Sequence, residues 1–198
     1  GEATRDQLGP CSVTAVEANP LLLQAVQRYG GGLYSEPRVT VIAESERSLL
    51  RRSDERYDLI HLALADSFHP VAAGAYSLAE NYLYTVEAFQ DYYAHLAPGG
   101  ILMVVRWLQL PPSEDLRAAI IAVTALESSG ITDAAQRVAA LRSFQTITLL
   151  VKNGAWQATE IATLRQFCQE RGFDPVYFPG IQPTETNRYN ILPDDVYS

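Results

Sequence analysis

The stretch SVTAVEANP, residues 12–20, decides the fold. Its apolar first half is typical of a short buried strand, and the acidic residue Glu17 ends that strand. Asn19 suits the N-cap of a following helix and Pro20 suits its first turn. In nucleotide-binding α/β folds, a carboxylate between such a strand and helix accepts hydrogen bonds from both hydroxyls of a ribose. We therefore predict that Glu17 holds a ribose, with a solvated strand-end carboxylate as the alternative.

The residues before this stretch lack the apolar strand and glycine-rich turn that usually precede such a unit. They read GEATRDQLGP, residues 1–10, and are mostly polar. We therefore expect a nucleotide-site domain without its first strand. An empty slot there would hold its neighbours about 10 Å apart. We expect the strand ending at Glu17 to pair directly with the one ending near Leu64, giving six strands. A strand from a second copy of the chain, in a homodimer, is the alternative.

Strands and helices alternate along the rest of the chain. Further strands are predicted at 38–43, 57–64, 101–105, 145–151 and 173–178. Helices are predicted between them, with Thr85 as one N-cap and Pro98-Gly99-Gly100 as a stop signal. The alternation predicts an α/β sandwich with a mostly parallel sheet, formed as one domain over residues 1–198. Ligands of such sheets bind at the carboxyl ends of the strands.

Composition narrows the classes of function. The net charge of −8 argues against a nucleic acid partner. It would suit a cationic substrate such as a polyamine, although most acidic proteins are simply soluble. Two widely spaced cysteines, Cys11 and Cys168, indicate a reducing compartment, and hence the cytoplasm. No apolar run approaches the roughly 20 residues that a membrane span needs.

Three segments together resemble one known family. They are VTAVEANP (13–20), RVTVIAESERSLLRRSDERYDLIHLALADSF (38–68) and YLYTVEAFQDYYAHLAPGGILMVVRW (82–107). Their order is similar to that of the spermidine and spermine synthases, within the class I S-adenosylmethionine-dependent transferase superfamily. The resemblance covers roughly residues 11–107. It implies a Rossmann-like, three-layer sandwich, with S-adenosylmethionine or its decarboxylated form as cofactor. The reaction would be alkyl transfer from a sulfonium to a small amine or other nucleophile.

The resemblance also implies cofactor-binding residues. Glu17 matches the acidic ribose-binding position, and its neighbour Ala18 lies beside it. Glu44 matches an acidic residue near the adenine, where the family usually has aspartate, and Ser45 fills the small position that follows. Ala63 stands where the family carries the first aspartate of an aspartate-x-x-aspartate motif, at the edge of the cofactor site.

Ala63 departs from the family in a way that affects the chemistry. A free amine with a pKa near 10 is protonated at pH 7, so a carboxylate must bind it and help to remove its proton. Alanine cannot do so. Asp66 matches the second aspartate and is the catalytic candidate, with an ordinary turn residue as the alternative. We therefore expect no efficient aminopropyl transfer to putrescine, and methyl transfer is equally defensible.

Other residues bear on the substrate. Tyr76 and Tyr84 are predicted to line the substrate pocket, with packing against the sheet edge as the alternative. Arg106 lies near the place where the family carries a glutamine. A guanidinium there would repel a diamine and favour a neutral or anionic substrate. His69 is a weaker candidate for a base, and the histidines lack metal-ligand spacing, so no metal is expected.

Two functions of different classes stay open. The first is a transferase that uses S-adenosylmethionine or its decarboxylated form. The second is a non-catalytic soluble module of a membrane protein, which keeps the fold without turnover. Some bacterial relatives of this kind carry the domain after several membrane-spanning helices, which would make this chain a cytoplasmic domain with such a region upstream. Without a glycine-rich turn, we expect no cofactor bound to this chain, or at best high-micromolar affinity.

Overall fold

The computed structural model describes residues 11–64, 82–108 and 114–192. The chain divides into an N-terminal unit, Gly1–Asp54, and a C-terminal unit, Glu55–Ser198. In the described part of the chain, no helix is both long and apolar enough to cross a membrane.

The N-terminal unit is a two-stranded parallel sheet with two helices. Its elements are β1 (Val13–Val16), α1 (Pro20–Tyr29), β2 (Val39–Ile42) and α2 (Glu46–Arg52). The predicted start of α1 is confirmed, because Asn19 Oδ1 accepts a hydrogen bond from Leu21 N at 3.0 Å. None of the residues of α1 is buried within the described structure.

The C-terminal unit is a five-stranded sheet with helices. Its elements are β3 (Tyr57–Leu62), α3 (Val86–Ala94), β4 (Leu96–Trp107), α4 (Glu114–Ser128), β5 (Val138–Arg142), β6 (Thr146–Lys152), α5 (Ala158–Arg171) and β7 (Asp174–Tyr177). The strand order is β3-β4-β6-β5-β7, with β3 and β4 parallel and the other three pairings antiparallel. The strands β3, β4 and β5 therefore point the same way, and their carboxyl ends share one edge. Strand β5 was not predicted.

The expected pairing of β1 with β3 is wrong, and so is the six-stranded sheet. Among the described residues, the strand partner of β1 is β2 and that of β3 is β4, in sheets of two and five strands. The prediction assumed that an unpaired edge of β1 would be buried and costly. Strand β1 has no buried residue, so water can reach the backbone groups of that edge. Pairing with a strand of a second copy stays a prediction.

The turn that begins β4 has a physical reason for its two glycines. Gly99 has φ = 80°, a conformation that favours glycine. A Cβ on Gly100 would lie 2.7 Å from the carbonyl oxygen of Tyr57, so this position needs glycine for the close approach of β3. Asn153 Nδ2 donates to the carbonyl oxygens of Leu96 and Ala97, at 3.0 and 3.2 Å, which fixes the turn against the end of β6.

The sheet of the C-terminal unit is covered on one face by α5. The buried core there consists of Ala139, Leu141, Leu150, Trp156, Ile161, Cys168 and Phe178. Cys168 is a free thiol, and burial raises its pKa to about 11, so it is a packing residue rather than a nucleophile. On the other face, Val104 and Leu102 of β4 are fully buried.

Candidate functional site

The N-terminal unit brings two predicted cofactor residues to one edge of its sheet. Strands β1 and β2 are parallel, with Val16 opposite Ile42, and the Glu17 N–H donates to the Ile42 carbonyl at 3.1 Å. Glu17 therefore lies beside Ala43, and Glu44 follows directly. The structure thus places both carboxyl-bearing residues where the two strands end.

Glu17 is held in place by the start of α1. Its Oε1 accepts a hydrogen bond from the Asn19 N–H at 2.7 Å, while Asn19 itself caps the helix. A carboxylate has about four acceptor sites, so this bond leaves room for the two hydroxyls of a ribose. Ala18 is exposed beside it. The local geometry keeps the Glu17 carboxylate fixed and still able to accept.

Glu44 has a partner that the sequence did not predict. The Arg52 guanidinium, at the end of α2, forms an ion pair with the Glu44 carboxylate, and Arg52 Nε lies 3.2 Å from Oε2. The hydrogen bond to Glu44 and the charge of Glu44 raise the pKa of Arg52. Exposed pairs of this kind contribute only about 0–1 kcal/mol. An adenine could therefore compete with Arg52 at little cost.

Ser45 has a structural role at the start of α2. Its Oγ accepts a hydrogen bond from the Ser48 N–H at 3.3 Å, which makes it the N-cap of that helix. The predicted small position beside the adenine and the N-cap coincide in this residue. A cofactor contact there would use its backbone or one face of its side chain.

The C-terminal unit brings Tyr84 and Arg106 together. Arg106 is the next-to-last residue of β4 and is only 7% exposed. Its guanidinium carbon lies 4.3 Å from the centroid of the Tyr84 ring, a cation–π distance. The Tyr84 ring in turn lies 6.5 Å from the ring of Phe89. The predicted pocket residue Tyr84 thus orients a buried cation near the carboxyl end of β4.

Ala63 follows β3 at the same edge of the sheet. Leu62 pairs with Val104, so Ala63 lies beside the last residues of β4, and it is exposed. Within the described residues, the position where the family carries an aspartate therefore has neither a carboxylate nor a buried contact. Asp66, Tyr76 and His69 lie outside the described residues.

A second buried arginine lies on the same row of the sheet. Arg106 pairs with Ile147 of β6, and Ile147 pairs with Arg142 of β5, so the two arginines point to the same face. Arg142 is 1% exposed and lies 3.7 Å from the carboxylate of the fully buried Asp174. Sequence reasoning missed Arg142 and Asp174 because they lie beyond the resembling segments, and 32 positions separate them along the chain.

No group of three or more metal-ligating side chains was found in residues 11–64, 82–108 and 114–192.

Comparisons with known proteins agree with this geometry at the level of the fold. No family model matches the chain. The chain is similar to the solved structure of human methyltransferase-like protein 13 in complex with SAH, at 15% identity and a TM-score of 0.55, covering 80% of this chain and 70% of that one. It is also similar to a spermidine synthase in complex with the transition state analogue AdoDATO, at 16% identity and a TM-score of 0.50, covering 93% and 58%.

A third similar structure is a probable spermidine synthase from Corynebacterium glutamicum, at 21% identity and a TM-score of 0.49, covering 77% of this chain and 52% of that one. The chain thus spans between half and three fifths of the length of these two synthases. The predicted fold class is confirmed, since the mixed α/β architecture matches the class I methyltransferase fold that spermidine synthases share.

Proposed function

We propose that this chain is part of a transferase that uses S-adenosylmethionine or decarboxylated S-adenosylmethionine. The transferred group, a methyl or an aminopropyl, would move by displacement at the sulfonium carbon. The observation that carries this proposal is the meeting of Glu17 and Glu44 at the ends of two parallel strands. In a fold of this class, that edge is where a nucleoside is held. The two similar structures in complex with SAH and AdoDATO support a cofactor of this type.

Such a reaction makes few demands on ionisable groups. The sulfonium already activates its carbon, so the protein contributes mainly by positioning the acceptor in line with the bond that breaks. Loss of the aspartate at position 63 therefore affects the choice of acceptor more than the displacement itself. It leaves the transferase proposal intact and removes the reason to expect a diamine.

The residues near the end of β4 support a neutral or anionic acceptor. A diamine carries two positive charges at pH 7. Arg106 adds a third, nine-tenths buried and stacked on Tyr84, where screening by water is weak. With alanine at position 63, the described part of this edge offers no carboxylate in compensation. Methyl transfer is therefore supported as well as aminopropyl transfer.

A second candidate function is favoured by the same two residues. Ala63 and Arg106 both depart from the family pattern, which would suit a non-catalytic module of a membrane protein that keeps the fold without turnover. This candidate predicts neither product nor cofactor binding. The cytoplasmic location, a homodimer and a membrane-spanning region in the whole protein are further proposals of the sequence reasoning.

The full-length gene product allows a direct test of both candidates. It is incubated with S-adenosylmethionine or its decarboxylated form and a panel of small nucleophiles. Methyl transfer releases S-adenosylhomocysteine, and aminopropyl transfer releases methylthioadenosine. We expect one of these products with an acceptor other than putrescine. Release of neither product, together with no binding of S-adenosylhomocysteine, would overturn the proposal in favour of the module.

A matched pair of variants locates the cofactor in this test. Glu17→Gln removes the charge that would face the ribose, and we expect an affinity loss of about tenfold or more for S-adenosylhomocysteine. Glu36→Gln makes the same charge change at an exposed position before β2 and should bind normally. Equal affinities of the two variants would place the nucleoside elsewhere.

A further inference from the structure

A cleft of about 420 Å³ lies between α4 and the sheet of the C-terminal unit. Its floor includes Val104, Leu149 and Ala140, which the pairing of β4, β6 and β5 aligns in one row across the sheet. Its roof includes Ala118 and Ala119 of α4. Helix and sheet therefore face each other across open space at this place.

The cleft exists because small side chains meet on both sides. Protein interiors are normally packed to the density of organic crystals, with few voids larger than a water molecule. Here Ala118 and Ala119 face Ala140, and Ala135 closes one side, so no large side chain fills the gap. An apolar cavity of about 150 Å³ is enough to bind benzene. The cleft is nearly three times that size, which is enough for a molecule of two to three rings.

The charges in the cleft wall indicate a neutral ligand. Two ionisable side chains contribute to the lining, Arg106 at 7% exposure and Asp115 at 5% exposure. Their opposite charges cancel, and the other lining residues are apolar except for the hydroxyl of Tyr177. A ligand with a net charge would lose its hydration among apolar walls without a compensating counter-charge.

We propose that this cleft is a binding site for a neutral, largely apolar small molecule of two to three rings in size. The proposal does not depend on the transferase function, because it rests on the volume and chemistry of the cleft. The two sites do share one residue. The Arg106 guanidinium that stacks on Tyr84 also lines the cleft, so a bound ligand would lie next to the candidate acceptor region.

A neutral fluorescent probe tests the site directly. N-phenyl-1-naphthylamine contains three aromatic rings, carries no charge, and fluoresces more strongly in apolar surroundings. We expect saturable binding to the full chain with one site. Ala119→Phe fills the cleft from α4 and should weaken binding by about tenfold or more. Ile120→Phe, the neighbouring exposed position that does not line the cleft, should change the affinity by less than about twofold.

An anionic analogue tests the expected charge of the ligand. 8-Anilino-1-naphthalenesulfonate has the same rings and an added sulfonate, and we expect it to bind at least about fivefold more weakly. Absence of saturable binding by the neutral probe, equal losses in the two variants, or tighter binding of the sulfonate would each overturn the proposal.

A measurement on the unaltered chain covers the case in which Ala119→Phe fails to fold. Circular dichroism and thermal denaturation report whether both variants keep the fold. Intermolecular NOEs from the neutral probe to the methyl groups of Val104 and Leu149 would place it in the cleft. NOEs confined to residues away from α4 and its facing strands would contradict the proposal.

Discussion

Arg142 and Asp174 form a buried ion pair, with Arg142 Nη2 and Asp174 Oδ2 3.7 Å apart, and it ties the end of β5 to the start of β7. The Asp174 carboxylate also accepts hydrogen bonds from the N–H groups of Tyr189 and Asn190, at 2.9 and 2.7 Å. Arg142 Nη2 donates to Asn187 Oδ1 at 2.7 Å. The pair is thus the anchor that holds the segment around residues 187–190 on the sheet.

Replacing Asp174 with asparagine should destabilise the protein strongly. The variant leaves the Arg142 charge buried without its counter-charge, and breaking a buried pair in this way costs about 3–5 kcal/mol. Urea denaturation measures the free energy of unfolding. The control Glu127→Gln removes a carboxylate from an exposed position of α4 and should change it by less than about 0.5 kcal/mol. A loss in Asp174→Asn no larger than the control's would show that the pair contributes little.

The same carboxylate predicts a loss of stability in acid. Burial alone would raise the pKa of Asp174, but the N–H groups of Tyr189, Asn190 and Arg188 stabilise its charged form, and the pKa lies below the usual value. An unfolded aspartate titrates near a pKa of about 3.9. The stabilisation is therefore present above that pH, and it is lost as the pH falls through the lower pKa of the folded state.

Denaturation at a series of pH values checks this expectation. The contribution of Asp174 to the free energy of unfolding should stay constant between about pH 7 and 5 and decline below about pH 4. Because Asp174→Asn lacks the carboxyl, its decline below pH 4 should be shallower than that of the unaltered protein. Parallel curves for the two proteins would assign the acid lability to other carboxyls.

The turn Pro98-Gly99-Gly100 allows a comparison of strain with steric clash. Gly99→Ala meets no atom within 4 Å but keeps a φ of 80°, so it should cost about 1 kcal/mol of stability. Gly100→Ala places a Cβ 2.7 Å from the Tyr57 carbonyl oxygen and must displace β3 from β4, so it should cost more. Thermal denaturation of both variants measures the difference, and equal losses would contradict the close approach.

The sequence predicts the apolar strands well because their pattern is local. The continuous runs at 57–64 and 101–105 correspond to β3 and to the centre of β4. Strand β5, VAALR, was missed because two alanines and an arginine are not typical of a strand. All five of its residues are buried, and its antiparallel pairing with both β6 and β7 determines its conformation.

The candidate site shows the same limit. The meeting of Glu17 and Glu44 follows from the ends of two parallel strands, which the sequence can predict. The stacking of Arg106 on Tyr84 depends on where β4 ends relative to the start of α3, at a sequence separation of 22. The Arg52 partner of Glu44 depends on the length of α2. Such contacts are set by tertiary packing and leave no local signal.

This chain alone should bind the cofactor weakly. Glu17 and Glu44 can contact the ribose and adenine, whereas the backbone N–H groups of a glycine-rich turn would be needed for the rest. We expect affinities for S-adenosylmethionine and methylthioadenosine that are undetectable or at best high-micromolar, corresponding to about −5 to −6 kcal/mol. Isothermal titration calorimetry on residues 1–198 measures them. Sub-micromolar binding would show that other groups of this chain replace the turn.

The full-length gene product should not transfer an aminopropyl group efficiently to putrescine. Ala63 cannot bind the ammonium or help to remove its proton, and the buried Arg106 repels it. Product assays with decarboxylated S-adenosylmethionine measure the spermidine formed. Robust spermidine formation by the unaltered protein would mean that Asp66 or another group supplies the missing carboxylate.

Restoring the family's residues should create that activity if these two positions are what excludes putrescine. Ala63 is exposed at the end of β3, so Ala63→Asp adds a carboxylate without burying a charge. We expect this variant to form more spermidine than the unaltered protein, by about tenfold for one charged contact. Adding Arg106→Gln removes the repulsion and should increase the rate further. Ala94→Asp, at the end of α3, adds the same charge away from the carboxyl edge and should gain nothing. If Ala63→Asp and its double variant fold normally but form no more spermidine than Ala94→Asp, positions 63 and 106 do not determine the acceptor.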